Sequence, residues 1–137
     1  MEMLRAGCGA MQWLRRAQRK DIWDEAFEAT AGDIEAAKRI RGICSSAADS
    51  AEKVGAAADR THKKVKDDVV RYERAARAAM QTAMKISDEL LRDAAVRQIV
   101  ELCLKAGKLI TAQTLFRAIQ AASIRDDLLR DFPQLRP

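Results

Sequence analysis

Few side chains in this sequence can do covalent or acid–base chemistry. There is one histidine, His62, and three cysteines, Cys8, Cys44 and Cys103. His62 lies in Arg60-Thr61-His62-Lys63-Lys64, where neighbouring cations disfavour its protonated form and the charged setting turns it toward water. No cysteine or carboxylate constellation of the kind nucleophilic catalysis uses surrounds it. The cysteines are odd in number, widely spaced and without a Cys-x-x-Cys pair. A secreted disulfide framework uses an even, denser set, and a structural zinc site uses about four ligands. They therefore read as free or buried thiols in a reducing compartment, with Cys103, on an apolar helix face, an inert core thiol. Asp21, Asp24, Glu25 and Glu28 recur at i, i+3, i+4 and i+7 and form one acidic stripe. Facing carboxylate helices can hold two metal ions, but such sites add Glu-x-x-His pairs, which this chain lacks. Acids in a first helical turn also suit the helix dipole, so the stripe reads as solvated or arginine-paired. Gly107-Lys108 has the look of a phosphate-binding loop, yet no Ser or Thr follows the lysine and no glycine stands five residues before Gly107. These residues predict a protein that is not an enzyme, with no catalytic residues, no metal and no cofactor.

The elements around them read as helices. Of 137 residues, 26 are alanine and only 4% are aromatic, while strand formers are sparse. With 33% charged and 48% apolar residues, neither wholesale disorder nor a membrane-spanning protein is expected. The length suits one domain with its own core. No run approaches the ~18 apolar residues of a transmembrane helix. Cys8 follows Ala6-Gly7, but no continuous apolar stretch precedes it, which argues against a lipoprotein signal. The expected location is cytoplasmic. The alanine- and arginine-rich usage suggests a GC-rich bacterial genome.

Periodicity predicts an all-α fold of about six antiparallel helices. Residues 1–20 carry five bases and one acid and form a basic helical segment, Met3 to about Gln18, weakened by Gly7 and Gly9 and expected to be mobile. Residues 21–137 form a single all-helical domain. Its first helix, about Asp21 to Thr30, buries Ile22, Trp23, Ala26 and Phe27. Gly32 ends it, and Asp33 is placed to cap a helix from Ile34 to about Cys44, with Ile34, Ala37, Ile40 and Cys44 on one face. After Ser45-Ser46, Val54, Ala58, Val65, Val69, Tyr72, Ala76, Met80 and Ala83 trace an apolar seam along one long helix, about Ala48 to Lys85, with Gly55 a point where it could loosen. Such a seam needs a neighbour, either within the chain or from a second copy. Ser87 caps a helix from Asp88 to Leu104. Ala106-Gly107-Lys108 turns the chain into Leu109 to about Ser123, and Asp126–Arg130 makes a last short turn before Pro133. Short loops make successive helices antiparallel.

Repeats carry the most information. Asp88-Glu89-Leu90-Leu91-Arg92-Asp93 returns 38 residues later as Asp126-Asp127-Leu128-Leu129-Arg130-Asp131. Ala31-Gly32-Asp33-Ile34 aligns with Ala106-Gly107-Lys108-Leu109, 75 residues on. Spacings in the high thirties are typical of stacked helical hairpins. Val96, Ile99, Val100 and Cys103 are apolar in register, Gly107 marks a turn, and small Ala112, aromatic Phe116 and Ile119 follow. Residues 92–122 thereby resemble a tetratricopeptide repeat. The resemblance implies a hairpin whose surface binds a partner peptide or helix, with Lys105, Lys108, Gln113, Arg117 and Gln120 as candidate contacts. An irregular helical bundle with one long helix fits the same periodicity, and both architectures stay open.

Two functions follow, from different classes. The first is a non-catalytic protein–protein interaction or scaffold module, its partner another protein or a second copy in a homodimer. The alternative is binding of nucleic acid or an anionic surface through Arg15, Arg16, Arg19 and Lys20, or through Lys63, Lys64, Lys66, Arg71, Arg74 and Arg77. A net charge of +5 permits a polyanion. No helix-turn-helix spacing or aromatic stacking set accompanies these cations, so the interaction module is the preferred reading.

Overall fold

The computed structural model describes residues 21–24, 32–57 and 63–136. Among these the chain is helical without a strand, and five α-helices follow one another: α1, Asp33–Ala56; α2, Lys63–Ala83; α3, Glu89–Lys105; α4, Leu109–Ala118; and α5, Ala122–Asp131. Short 3-10 turns stand at Ile22–Asp24 and Pro133–Leu135. The expected N-terminal helix Met3–Gln18 lies outside the described residues. Of the expected helix Asp21–Thr30, the described part is the 3-10 turn alone.

The long helix from Ala48 to Lys85 does not form. Instead α1 continues through Ser45-Ser46, because both serines face water while Ala36, Ile40, Ile43, Ala47, Ala51 and Val54 keep an unbroken buried stripe. The helix stops at Ala57, whose backbone is extended (φ −73°, ψ 126°). The residues expected to line one seam are thus divided between α1 and α2, which pack extensively on each other. On α2 the buried face is Tyr72, Ala75, Ala79 and Ala83, displaced from the expected Ala76–Met80 line, both of which are half-buried. Alanine at three of these four positions lets the helix axes approach closely, where dispersion between backbones replaces large side-chain area.

The joints of α3 show clear sequence logic. The N-cap is Asp88, one residue past the expected Ser87, and its carboxylate accepts from Leu91 N at 2.8 Å. At the other end Lys108 N donates to Cys103 O (2.9 Å) and Gly107 N to Leu104 O (3.0 Å), with Gly107 at φ 71°. This is a Schellman cap, and its left-handed residue is the position that favours glycine. Helix α4 ends at Ala118, short of the expected Ser123. The chain is extended at Ile119 and Ala121, and α5 then takes in the expected last turn.

Two aspartates tie alternate helices together. Asp33 accepts from Ser87 N (3.0 Å) and Asp88 N (2.9 Å), which sets the start of α1 beside the start of α3. The N-cap position of α1 falls to Gly32, and no side chain caps it. At the far end Gly55 lies against Lys105 and Ala106, so α1 and α3 stay side by side along their length. Asp93, 4% exposed, accepts from Gln120 N (3.2 Å) and Ala121 N (2.9 Å) through one oxygen and fixes the lead-in to α5. Buried residues from Trp23 to Leu135 form one continuous cluster.

The 38-residue sequence match is not a structural equivalence. Asp88–Asp93 begins α3, with Leu90 in water, whereas Asp126–Asp131 closes α5, with Leu128 fully buried.

Candidate functional site

The groups able to do chemistry are sheltered. Tyr72 OH donates to Cys103 Sγ at 3.3 Å in the core. Burial pushes the Tyr72 phenol well above its usual range and raises the Cys103 thiol, against the lowering effect of the Tyr72 hydrogen bond. Cys44, half-buried between α1 and α3, is pushed up to about 12 by burial and, secondarily, by the nearness of Cys103. Thiols held protonated in this way are poor nucleophiles. Among the described residues no three His, Cys, Asp or Glu side chains converge on a metal-binding point. No helix among them is long and apolar enough to cross a membrane. His62 and Cys8 lie outside the described residues.

The five candidate contacts do not converge on one spot. Lys105 borders a shallow cleft between α1 and α3 of about 220 Å³, with Arg41, Cys44 and Gln98. Lys108 borders another of about 290 Å³ between α2 and α4, with Tyr72, Ala76, Arg77 and Thr111. The Gln113 amide nitrogen donates to the carbonyls of Gln134 (3.0 Å) and Arg136 (3.4 Å), holding the C-terminal turn onto α4. Arg117 stands in water on the outer face of α4. Gln120 borders a third cleft, of about 390 Å³, beside Glu89, Leu90 and Ala121.

The basic set for an anion divides similarly. Arg15, Arg16, Arg19 and Lys20 lie outside the described residues, as do the side chains of Lys63 and Lys64. Arg71 turns inward: it pairs with Asp21 (2.6 Å), stacks on the Trp23 ring at 4.7 Å and donates to Ser46 O (3.3 Å). Lys66, Arg74 and Arg77 are exposed.

What sequence reasoning missed is a set of large apolar side chains left in water: Ile34 (65% exposed), Val70, Met84 (73%), Leu90 (60%), Leu109 and Ile110. Ile34 was expected in the core face of its helix. The Asp33 bonds to Ser87 and Asp88 bring the starts of α1 and α3 and the end of α2 together, so Ile34, Leu90 and Met84 share one end of the molecule. Leu109 and Ile110 open α4, directly after the Gly107 turn at the opposite end of α3. All but Val70 occupy the first two positions of a helix or the residue just past its end, where a side chain projects beyond the neighbouring helix. An apolar residue next to a helix cap is the sequence signal that could have found them. The chain matches no protein-family model, no curated protein and no solved structure.

Proposed function

We propose that this chain is a non-catalytic protein–protein interaction or scaffold module built from antiparallel helical hairpins, as the tetratricopeptide-like residues 92–122 imply. The observation that carries the reading is the exposed trio Ile34, Met84 and Leu90, three large apolar side chains in or just past three helices at one end of the molecule. Other large aliphatics of the same chain, Ile40, Ile43, Ile86, Ile99 and Leu128, are by contrast fully buried. Isolated exposed aliphatics are ordinary, but several large ones gathered at one end of a molecule suit a surface that meets another macromolecule. The sheltering of Cys44, Cys103 and Tyr72 supports a role without turnover.

A photo-cross-linking residue placed at Ile34 or Leu90 of the full chain, in the cells that make it, tests this. Discrete protein adducts, lost when Met84→Glu is added, are expected. Folded chain that gives no protein adduct at either position, or adducts to nucleic acid alone, overturns the reading.

A further inference from the structure

Resting on the interaction-module reading, the geometry points to the outer face of α4, with its lead-in Lys108 and with Arg77 across the cleft, as a docking surface for an acidic, amphipathic segment of a protein partner. The argument is one of charge and exposure. Residues 102–125 contain Lys105, Lys108, Arg117 and Arg125 and no carboxylate at all. Helix α4 lies wholly within this acid-free stretch. Its inner face, Ala112 and Phe116, is committed to the core. Its outer face presents Ile110, 79% exposed, then Thr114 and Arg117 at successive turns.

The cations beside this face are unspent. Neither Lys108, Arg117 nor Arg77 has an ion-pair partner among the described residues, while Arg71, Arg97 and Arg130 are all paired with carboxylates. Lys108 and Arg77 stand on the two walls of the α2–α4 cleft, which Thr111 and Ala76 also line. Glu73 borders the same cleft and is the one carboxylate an acidic partner would meet there. An exposed isoleucine on the helix that follows Lys108 and carries Arg117 matches a helix with an apolar stripe and carboxylates beside it: the apolar contact supplies affinity and the charges supply orientation and encounter rate.

The purified full chain is titrated with two 18-residue peptides that share the same leucine spacing, one flanked by Glu and Asp, the other by Lys and Arg. The acidic peptide is expected to bind, to shift the amide signals of α4, and to weaken with rising salt. The double variant Lys108→Glu/Arg117→Glu is expected to weaken it at least tenfold, and Ile110→Ser severalfold. Lys108 is half-buried while Arg117 and Ile110 are exposed, and an unchanged helical circular dichroism spectrum confirms the fold; Arg117→Gln, on an exposed side chain, supplies a milder second test. No binding at low salt, equal binding of the two peptides, or an affinity untouched by the double variant overturns the proposal. So does binding of phosphatidylserine vesicles or duplex RNA in place of the acidic peptide. Cross-linking from Ile34 or Leu90 separates the two readings: if it persists while the acidic peptide fails, only the α4 surface falls.

Discussion

Asp33 in α1 and Asp93 in α3 each reach across the fold to the two backbone N–H groups that lead into a later helix, yet their surroundings differ. Asp93 is 4% exposed and receives both hydrogens on a single oxygen. Asp33 is partly exposed to water and receives one hydrogen on each oxygen. The bonds have similar lengths, so geometry alone would rank the two joints equal. Solvent separates them: when an exposed acceptor is lost, water takes its place, whereas a buried donor left without a partner incurs its full desolvation penalty. The α3–α5 joint therefore holds the fold, and the α1–α3 joint chiefly sets direction and is sensitive to pH.

Asp93→Ala is the largest break in this comparison. It removes both acceptor contacts where the lead-in to α5 has no other N-terminal cap, and a loss of about 2–3 kcal/mol is expected, near the upper range for an unsatisfied buried group. Urea unfolding followed by circular dichroism measures it. Asp93→Asn sharpens the point, since one amide oxygen can accept both hydrogens and most of the stability should return. If the Ala and Asn variants unfold alike, the oxygen is not what the joint uses.

Gly55→Ala comes next and attacks the opposite end of the α1–α3 pair. Although Gly55 is itself exposed, an added Cβ would overlap the carbonyl oxygen of Lys105 and lie 3.2 Å from the carbonyl carbon, so a backbone must move. Alanine improves helix propensity by up to about 1 kcal/mol, while overpacking against a backbone costs roughly 1–3 kcal/mol. A net loss of about 1 kcal/mol is expected in the same unfolding measurement. A gain in stability would show that α1 and α3 are free to separate at that end.

The asymmetry between the two joints also explains what could be read from the sequence. The bounds of α3 and the start of α4 were legible to within a residue, because Gly107 and the apolar set Val96, Ile99, Val100 and Cys103 act through local rules of capping and period. Ala112, Phe116 and Ile119 are buried as expected. The break after Ala56 was legible only as a weak point at Gly55, since an alanine-rich stretch keeps its apolar period whether or not the chain turns. The early end of α4 at Ala118 and the start of α5 at Ala122 depend on Asp93, a residue 27 positions before the Gln120 amide it binds. Asp33 was expected to cap its own helix; its carboxylate serves α3 instead, a choice that no local pattern records. The candidate contacts fared likewise: Lys108 and Arg117 stand beside the acid-free α4 face, while Gln113 is committed to the C-terminal turn. Exposed Ile34 and Leu90 escaped notice because apolar residues at helix starts look like core.

The smallest effect belongs to Asp33, and it is distinguished by its dependence on pH. Hydrogen bonds from the backbone of Ser87, and then of Asp88, hold its carboxyl below the ordinary value of 3.8. A carboxyl whose pKa is depressed on folding adds stability that is fully present above its unfolded value and is lost as pH falls through the folded one. The contribution of Asp33 should therefore be constant near neutrality and fade below about pH 4. Asp33→Asn removes the charge and offers one acceptor oxygen where two N–H groups require two, with its NH₂ set against the second donor. A small drop in melting temperature at pH 7 is expected, together with a shallower decline between pH 4 and pH 2 than in the unaltered chain. Because the group faces water, the difference should be well below that of Asp93→Ala. Equal losses at the two sites would show that burial does not set the strength of these joints, and parallel acid profiles would show that the Asp33 bonds do not persist in solution.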